Sequence, residues 1–284
     1  MEMKEIKLKH LWLETTNRCN ANCIFCAREH ALPPCDMDLD LFKSIIDQCP
    51  EAKVVQTQGF GEPLLYPHIV EAVEYAAKKH DVVFYTNGAL LTEELSQALL
   101  DTGMWRLIFS VDDMTKEKYE YFRPPLKWDI LLENVNRFQR MRTKGGYKTL
   151  TTVRMCETKE NRPYINQAKD FWRKRVDVVT SAPEVDIPPP TELRETPYVI
   201  GRPILDCPFP YNYLSVKSNG DMVLCCRDWF HIYTSGNLHD NTVKELYYEG
   251  KEYDRLRQSH KTGNRMPYLC HICKTKRAPQ RYNL

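Results

Sequence analysis

The chain has 284 residues, 42% hydrophobic and 27% charged, with 40 Lys+Arg against 38 Asp+Glu for a formal net charge of +2. This fits a soluble globular protein of one large domain, or one domain with an appendage, and it gives no sign of a global field for nucleic acid or membrane. No apolar run nears the roughly 20 residues that span a bilayer, and Met1 to His10 lacks the apolar core of a signal peptide, so a cytoplasmic protein with no membrane or nucleic-acid partner is expected.

The first 180 residues repeat a strand-then-helix rhythm. Short runs rich in β-branched, aromatic and other apolar residues predict strands at Leu8–Thr15, Lys53–Gln58, Asp81–Thr86, Trp105–Val111, Lys148–Met155 and Val176–Thr180. Helical spacing fills the gaps. Leu41, Phe42, Ile45, Ile46 and Cys49 follow the capping candidates Asp36 and Asp38, and Ile69, Val70, Val73 and Ala77 follow Pro67. Leu95, Ala98 and Leu99 follow Thr92 and end at Gly103. Leu131, Val135 and Phe138 follow Asp129 and stop at Gly145-Gly146. Ile165, Ala168 and Trp172 follow Asn161 and Pro163. Six strands alternating with helices imply a parallel sheet with right-handed crossovers. Six units fall short of a closed eight-strand barrel, so an α/β fold with a partial (β/α)6 barrel is predicted, with ligands at the C-terminal ends of its strands.

Pro183, Pro188, Pro189, Pro190, Pro197 and Pro203 break the rhythm and predict a linker over 183–206. It separates a barrel unit over 1–182 from a smaller α+β unit over 207–284. In the second unit Tyr211–Lys217 and Met222–Cys226 flank Ser218-Asn219-Gly220-Asp221, which predicts a hairpin with a type I′ turn. Thr242 and Glu245 form a capping box for a helix carrying Val243, Leu246, Tyr247, Tyr253 and Leu256, with Gly263 as its end. The basic stretch from Lys274 to Arg281 reads as a solvated tail.

Eleven cysteines are many for a reducing compartment, where close spacing points to metal rather than to disulfides. Cys19, Cys23 and Cys26 follow the first strand. Three thiolates this close can hold three corners of a [4Fe–4S] cube. The fourth iron has no local ligand, and an open metal position is what chemistry on a bound molecule needs. Zinc, or plain core thiols, are the competing readings of these residues alone.

Cys-x3-Cys-x2-Cys with Phe25 before the third cysteine resembles the signature of the radical S-adenosylmethionine superfamily, whose fold is a partial barrel. The resemblance implies that the open iron binds the amino and carboxylate groups of S-adenosylmethionine. Cleavage of that cofactor then yields a 5′-deoxyadenosyl radical that abstracts hydrogen from substrate. Gly59-Phe60-Gly61-Glu62-Pro63 is similar to the family's Gly-Gly-Glu-Pro motif, with Phe60 in place of the first glycine. It implies that Gly61, Glu62 and Pro63 receive the cofactor's amino group. Thr86 and Asn87, in Thr-Asn-Gly, fall beside the cofactor by the same resemblance. Ser110 and Asp112, in Ser-x-Asp, fall at its ribose. Arg123 and Arg154 compete for its carboxylate. Each segment taken alone is also an ordinary strand-to-loop turn or a surface arginine, but their joint fall at successive strand ends supports the resemblance.

Cys207, Cys225, Cys270 and Cys273, with Gly220 and Gly236-Asn237-Leu238, resemble the front of the SPASM domain or its shorter form, the twitch domain. No cysteine follows Cys273, which favours a single auxiliary [4Fe–4S] cluster. Four protein ligands would close that cluster and leave it electron transfer as its task; zinc is the rival on spacing alone. Cys35, Cys49, Cys156 and Cys226 remain. Cys49 fits a helix core, Cys35 could face substrate, and Cys226 could substitute for Cys225.

The auxiliary-cysteine spacing resembles that of twitch-bearing aminocyclitol dehydrogenases. It implies a radical oxidoreductase acting on a small molecule, fed by a flavodoxin- or ferredoxin-type electron donor, with an unidentified base taking the hydroxyl proton. Maturation of a ribosomal peptide is the runner-up. A non-catalytic zinc-binding protein is the alternative of another class.

Overall fold

The computed structural model describes residues 5–30, 33–184, 189–204 and 207–273. Pro188 and the basic stretch from Lys274 lie outside the described residues.

The strand–helix rhythm is present. In chain order it runs β1 (His10–Leu13), α1 (Leu39–Gln48), β2 (Val54–Thr57), α2 (Ile69–Ala77), β3 (Asp81–Thr86), α3 (Glu93–Asp101), β4 (Arg106–Ser110), α4 (Lys116–Phe122), α5 (Trp128–Gly145), β5 (Leu150–Glu157), α6 (Ile165–Arg173) and β6 (Val178–Pro183). Two helix starts, those of α1 and α3, are fixed by side chains that take orphan N–H groups. Asp38 accepts from Leu41 N–H at 3.0 Å, and Thr92 accepts from Leu95 N–H at 3.2 Å. Asp129 lies in the first turn of α5 rather than capping it, because that helix begins at Trp128. Gly146, at φ 69°, closes it in the left-handed conformation. Helix α4 went unpredicted; it has seven residues and buries only Tyr119 and Phe122.

Neighbouring strands β1 through β6 pair in parallel. Alternation then gives the sheet two faces. Leu11, Leu13, Val55, Phe84, Leu107 and Val153 face the helices and share one core with Phe42, Ile45, Val73, Leu131, Phe138 and Trp172. The other face is the barrel interior. It holds a small apolar cluster of Val54, Val83, Tyr85 and Ile108. In the adjoining interior positions stand Gln56, Arg106, Ser110, Thr152 and Arg154.

The chain continues with α7 (Pro190–Glu195), β7 (Tyr198–Val199), α8 (Phe209–Asn212), β8 (Tyr213–Val216), β9 (Asp221–Val223), β10 (Thr234–Asn237), α9 (Lys251–Thr262), β11 (Met266–Pro267) and α10 (Tyr268–Ile272). Four features differ from expectation. The proline-rich segment is not all linker: Pro190 opens α7, where its missing N–H costs nothing, and β7 pairs antiparallel with β11. The hairpin strand β8 pairs in parallel with β1, from His10↔Tyr213 to Leu13↔Val216, with the His10 and Tyr213 rings stacked at 4.4 Å. One nine-stranded sheet, β10-β9-β8-β1-β2-β3-β4-β5-β6, therefore carries both halves of the sequence.

The hairpin turn is not type I′, which needs positive φ at both central residues. Only Gly220 has it, at 86°. Gly220 N–H donates to Lys217 O and Lys217 N–H to Asp221 O, both at 2.9 Å, which makes a three-residue loop with a bulge at the glycine. Finally, the capping box is real, with Thr242 N–H donating to Glu245 Oε2 at 2.7 Å and Glu245 N–H to Thr242 Oγ1 at 3.2 Å. Yet the helix divides into a π-helical turn over Lys244–Tyr248 and α9. The break falls at Gly250, where a Cβ would lie 2.0 Å from Leu246 O. Among the described residues no helix is long and apolar enough to cross a membrane.

Candidate active site

The loop after β1 carries Cys19, Cys23 and Cys26, all half-buried and none in a disulfide. Backbone bonds fix its path. Ile24 N–H donates to Phe122 O at 3.1 Å, Asn22 N–H to Pro124 O at 2.6 Å, and Cys26 N–H to Cys23 O at 3.0 Å. Arg18 pairs with Asp36 at 2.6 Å and reaches Leu65 O at 2.8 Å, tying the loop to the segments on either side. The three thiols feel one another. Burial, with Glu62 and Cys23 nearby, pushes Cys19 up to about 11. Burial also raises Cys26, against the pull of Arg28 and Arg123. Cationic iron is the natural stabiliser of the thiolate form here.

Glu62, at the end of the strand-to-loop segment after β2, is buried and heavily committed. Its Oε1 accepts from Thr86 Oγ1 at 2.6 Å and Leu64 N–H at 3.2 Å, and its Oε2 accepts from Asn87 N–H at 2.6 Å. Burial nevertheless pushes this carboxyl up. Of about four acceptor positions one, on Oε2, is left for an ammonium group. Asn87 Nδ2 donates to Asn20 Oδ1 at 2.7 Å, which links the third strand's end to the cysteine loop. Pro63 opens a short 3-10 turn over Pro63–Leu65. Gly61 is needed for packing, since a Cβ there would sit 2.1 Å from Thr16 O. Phe60, the departure from the family motif, packs against Trp229 at 5.6 Å and Phe230 at 6.4 Å. It joins the cofactor loop to the C-terminal segment.

Ser110 and Arg154 are register partners at the C-terminal ends of β4 and β5. Asp112 and Arg123 behave otherwise. Asp112 is fully buried and accepts from Arg123 Nε at 2.6 Å and from Cys156 N–H at 2.7 Å. Arg123 Nη1 lies 3.6 Å from Cys23 Sγ, and its guanidinium stands 5.5 Å from the Phe25 ring centre. Burial opposes the Arg123 charge, but Asp112 and Cys23 outweigh it and hold it protonated. The carboxylate expected at the ribose thus has each oxygen engaged within the protein. The carboxylate faces Arg123 and Cys156, and the pair braces the cysteine loop. Arg154 is half-buried, and its side chain makes no hydrogen bond or ion pair among the described residues. Cys156 beside them is an ordinary thiol pushed by burial up to about 12.

The later cysteines come together from three separate stretches. Burial, then the charges of Cys225, Cys207 and Cys273, push Cys270 well up. Cys226 touches Cys225, lowering it and being raised in turn. Asp228 closes the following loop by accepting Ile232 N–H at 2.9 Å and Tyr233 N–H at 2.8 Å. Asn237 staples the hairpin turn, donating to Asn219 O and Asp221 Oδ1 at 3.0 Å each. Among the described residues no three His, Cys, Asp or Glu close on one point as a single metal ion needs. A cube spreads its thiolates over separate irons. The donors present, three thiols in one group and four in the other, fit two such cubes by their chemistry.

Cys35, read from the sequence as a thiol that could face substrate, has partners at the mouth that sequence reasoning missed, Ser218 and, through it, Glu14. Cys35 Sγ lies 3.1 Å from Ser218 Oγ, which donates to Glu14 Oε2 at 3.4 Å, while Phe60 N–H donates to Glu14 Oε1 at 2.7 Å. Alternation along β1 was the available signal: Glu14 is two residues beyond Trp12 and shares its interior face.

A sheet of parallel strands with a three-cysteine loop after the first and a cysteine-bearing hairpin beyond the last defines a class. Residues 13–171 match the family model for the radical SAM superfamily, and residues 207–274 match that for the SPASM iron–sulfur cluster-binding domain. The chain belongs to the radical SAM superfamily; it is a radical SAM enzyme with S-adenosylmethionine and a [4Fe–4S] cluster as cofactors and an auxiliary iron–sulfur cluster-binding domain. It is 31% identical over 160 residues to the tungsten-containing aldehyde ferredoxin oxidoreductase cofactor-modifying protein of Pyrococcus furiosus, covering 54% of this chain and 45% of the relative. The chain spans less than half the length of that curated relative. Among solved structures, BtrN in complex with AdoMet and 2-DOIA has a TM-score of 0.56 at 18% identity, covering 91% of this chain and 89% of BtrN. Streptococcus suis SuiB bound to S-adenosylmethionine has a TM-score of 0.73 at 15% identity, covering 88% and 68%. These structures share the fold.

Proposed function

We propose that this enzyme oxidises a carbinol or similar carbon of a small molecule. A hydrogen atom leaves the carbon, the hydroxyl proton passes to a base, and one electron leaves through the C-terminal thiol site, giving a carbonyl. The observation that carries this is that Cys225, Cys207 and Cys273 all stand near enough to Cys270 for their charges to push its thiol up. Four thiols can fill every corner of a cube, which leaves electron transfer as its use, whereas Cys19, Cys23 and Cys26 leave one corner open. When bound at that open corner, the cofactor supplies the 5′-deoxyadenosyl radical that takes the hydrogen atom.

The chain's own residues divide the remaining work. Arg154, beside Ser110 and with no side-chain hydrogen bond or ion pair among the described residues, holds the cofactor carboxylate as a two-pronged donor. The remaining acceptor position of Glu62 takes the ammonium group, and Thr86 and Asn87 hold Glu62 in place. Gly61 and Pro63 shape that loop. Arg123 with Asp112 positions Cys23, and Phe25 covers the guanidinium. In this reading 1–182 is the radical unit, 207–284 the auxiliary unit, and a flavodoxin- or ferredoxin-type protein delivers the first electron.

The test is anaerobic reconstitution followed by iron and sulfide analysis, Mössbauer spectroscopy and product assay. Two cubes mean about eight irons and eight sulfides per chain. Transfer of deuterium from a labelled carbinol into 5′-deoxyadenosine, with one carbonyl formed per cofactor cleaved, supports the oxidation. Transfer only from a peptide substrate replaces it with peptide maturation. Zinc in both sites with no sulfide ends both readings.

A further inference from the structure

We propose that Lys217 binds an anionic group of the substrate, a carboxylate or a phosphate; this deepens the reading of the barrel mouth given above and rests on it. Lys217 directly follows β8. Register places it: Trp12 pairs with Ser215 and Leu13 with Val216, and Glu14 N–H donates to Val216 O at 2.9 Å. Two residues beyond Ser215, Lys217 lies on the interior face with Trp12 and Glu14. It stands at the strand ends where ligands bind in this architecture, beside the cofactor loop, with its ammonium 5.5 Å from the Phe60 ring centre.

The residue is only 6% exposed, yet its side chain makes no hydrogen bond or ion pair with any described residue. The charges around it are already occupied. Glu14 accepts from Phe60 N–H and Ser218 N–H. Asp228 accepts from Ile232 N–H and Tyr233 N–H. Lys217 acts on Asp228 and on Cys226 through space only. Three ammonium donors on so buried a residue, with no acceptor among the described residues, gain from an incoming acceptor. An anionic oxygen group entering the mouth satisfies them. A compact ammonium suits a carboxylate or a phosphate, and the ring of Phe60 lines its approach.

The test uses reconstituted full-length holoenzyme saturated with S-adenosylmethionine, so that Arg154 is occupied. Wild type, Lys217→Met and Lys217→Arg are titrated calorimetrically with inorganic phosphate and with succinate. One site for one of the two anions is expected in wild type, and which anion binds identifies the source. Affinity falls at least about tenfold, ~1.4 kcal/mol, in Lys217→Met and recovers in Lys217→Arg. Iron content and melting profile establish that each variant is folded. The auxiliary-cluster potential, followed by EPR, is expected to stay put in Lys217→Met. Equal anion binding in wild type and Lys217→Met, or a displaced potential with unchanged anion binding, overturns the assignment; the second outcome makes Lys217 a neighbour of the cluster instead. Wild type that cleaves no S-adenosylmethionine overturns the underlying reading, whereas cleavage with unaltered anion binding overturns the Lys217 assignment alone.

Discussion

The two cysteine groups reach comparable chemistry by opposite routes. Cys19, Cys23 and Cys26 lie within eight residues of one loop, and their geometry is set by short-range backbone bonds and by the Arg123–Asp112 pair behind Cys23. Cys207, Cys225, Cys270 and Cys273 come from the start of α8's approach, the end of the hairpin and the C-terminal helix. Only Cys270 and Cys273, at the two ends of one helical turn, are held locally. Their site depends on β8 docking on β1, on Arg257 donating to Pro210 O at 2.9 Å and Tyr247 O at 2.7 Å, and on β11 pairing with β7. A site made by one loop tolerates change elsewhere in the fold; a site made by tertiary packing does not.

The sharpest break in that comparison comes from the ligands themselves. Cys19→Ala, Cys23→Ala or Cys26→Ala is expected to abolish S-adenosylmethionine cleavage, measured as 5′-deoxyadenosine formed under reducing conditions. Cys270→Ala is expected to leave part of that cleavage while product formation falls to background. An auxiliary variant with full turnover would remove the second cluster from the oxidation.

Next in size is the division of labour between two arginines. Arg123→Met leaves Asp112 buried without its partner and is expected to cost about 3–5 kcal/mol in unfolding free energy, read by denaturant melts. Arg154→Met has no such partner to strand. It is expected to melt within about 1 kcal/mol of wild type while weakening S-adenosylmethionine binding about tenfold or more, the usual scale for a lost charged hydrogen-bond pair. The reverse pattern would return the carboxylate to Arg123. A smaller effect is expected at the bridge between the halves. Phe60→Gly restores the family's usual residue but removes the contacts to Trp229 and Phe230, and should lower stability by about 2 kcal/mol or more.

The barrel was legible because its signals are local. Asp38 and Thr92 cap the helices that follow them, and all six strands fall within a few residues of their expected bounds. The cysteine loop was legible for the same reason. What the sequence hid was long-range. That β8 would extend the barrel's sheet depends on a pairing across some 200 residues. That Asp112 would turn to Arg123 depends on where a cysteine loop and α4 meet. The Asn-Gly turn misled because hairpin register placed only Gly220 in the left-handed region. Lys217 was invisible as a site residue because its isolation is a property of burial, which the letter at that position does not carry.

The seam between the halves also sets a pH dependence. His10 lies in β1 and stacks on Tyr213 of β8. Burial, then Lys9 and Lys53, lower it from 6.5 to about 4. A folded state that binds this proton less readily than the unfolded chain loses stability as pH falls from about 6.5 toward about 4, and keeps it above that window. A whole proton gives a slope of ~1.4 kcal/mol per pH unit. The part-exposed ring is screened, so about 1 kcal/mol per unit is expected. Denaturant melts of holoenzyme from about pH 7.5 down to about pH 5.5 read that slope. His10→Phe keeps a ring against Tyr213 and removes the titration, so its stability should fall less steeply over the same range. An equal slope in both proteins would move the acid sensitivity away from this seam, and toward carboxylates elsewhere in the molecule.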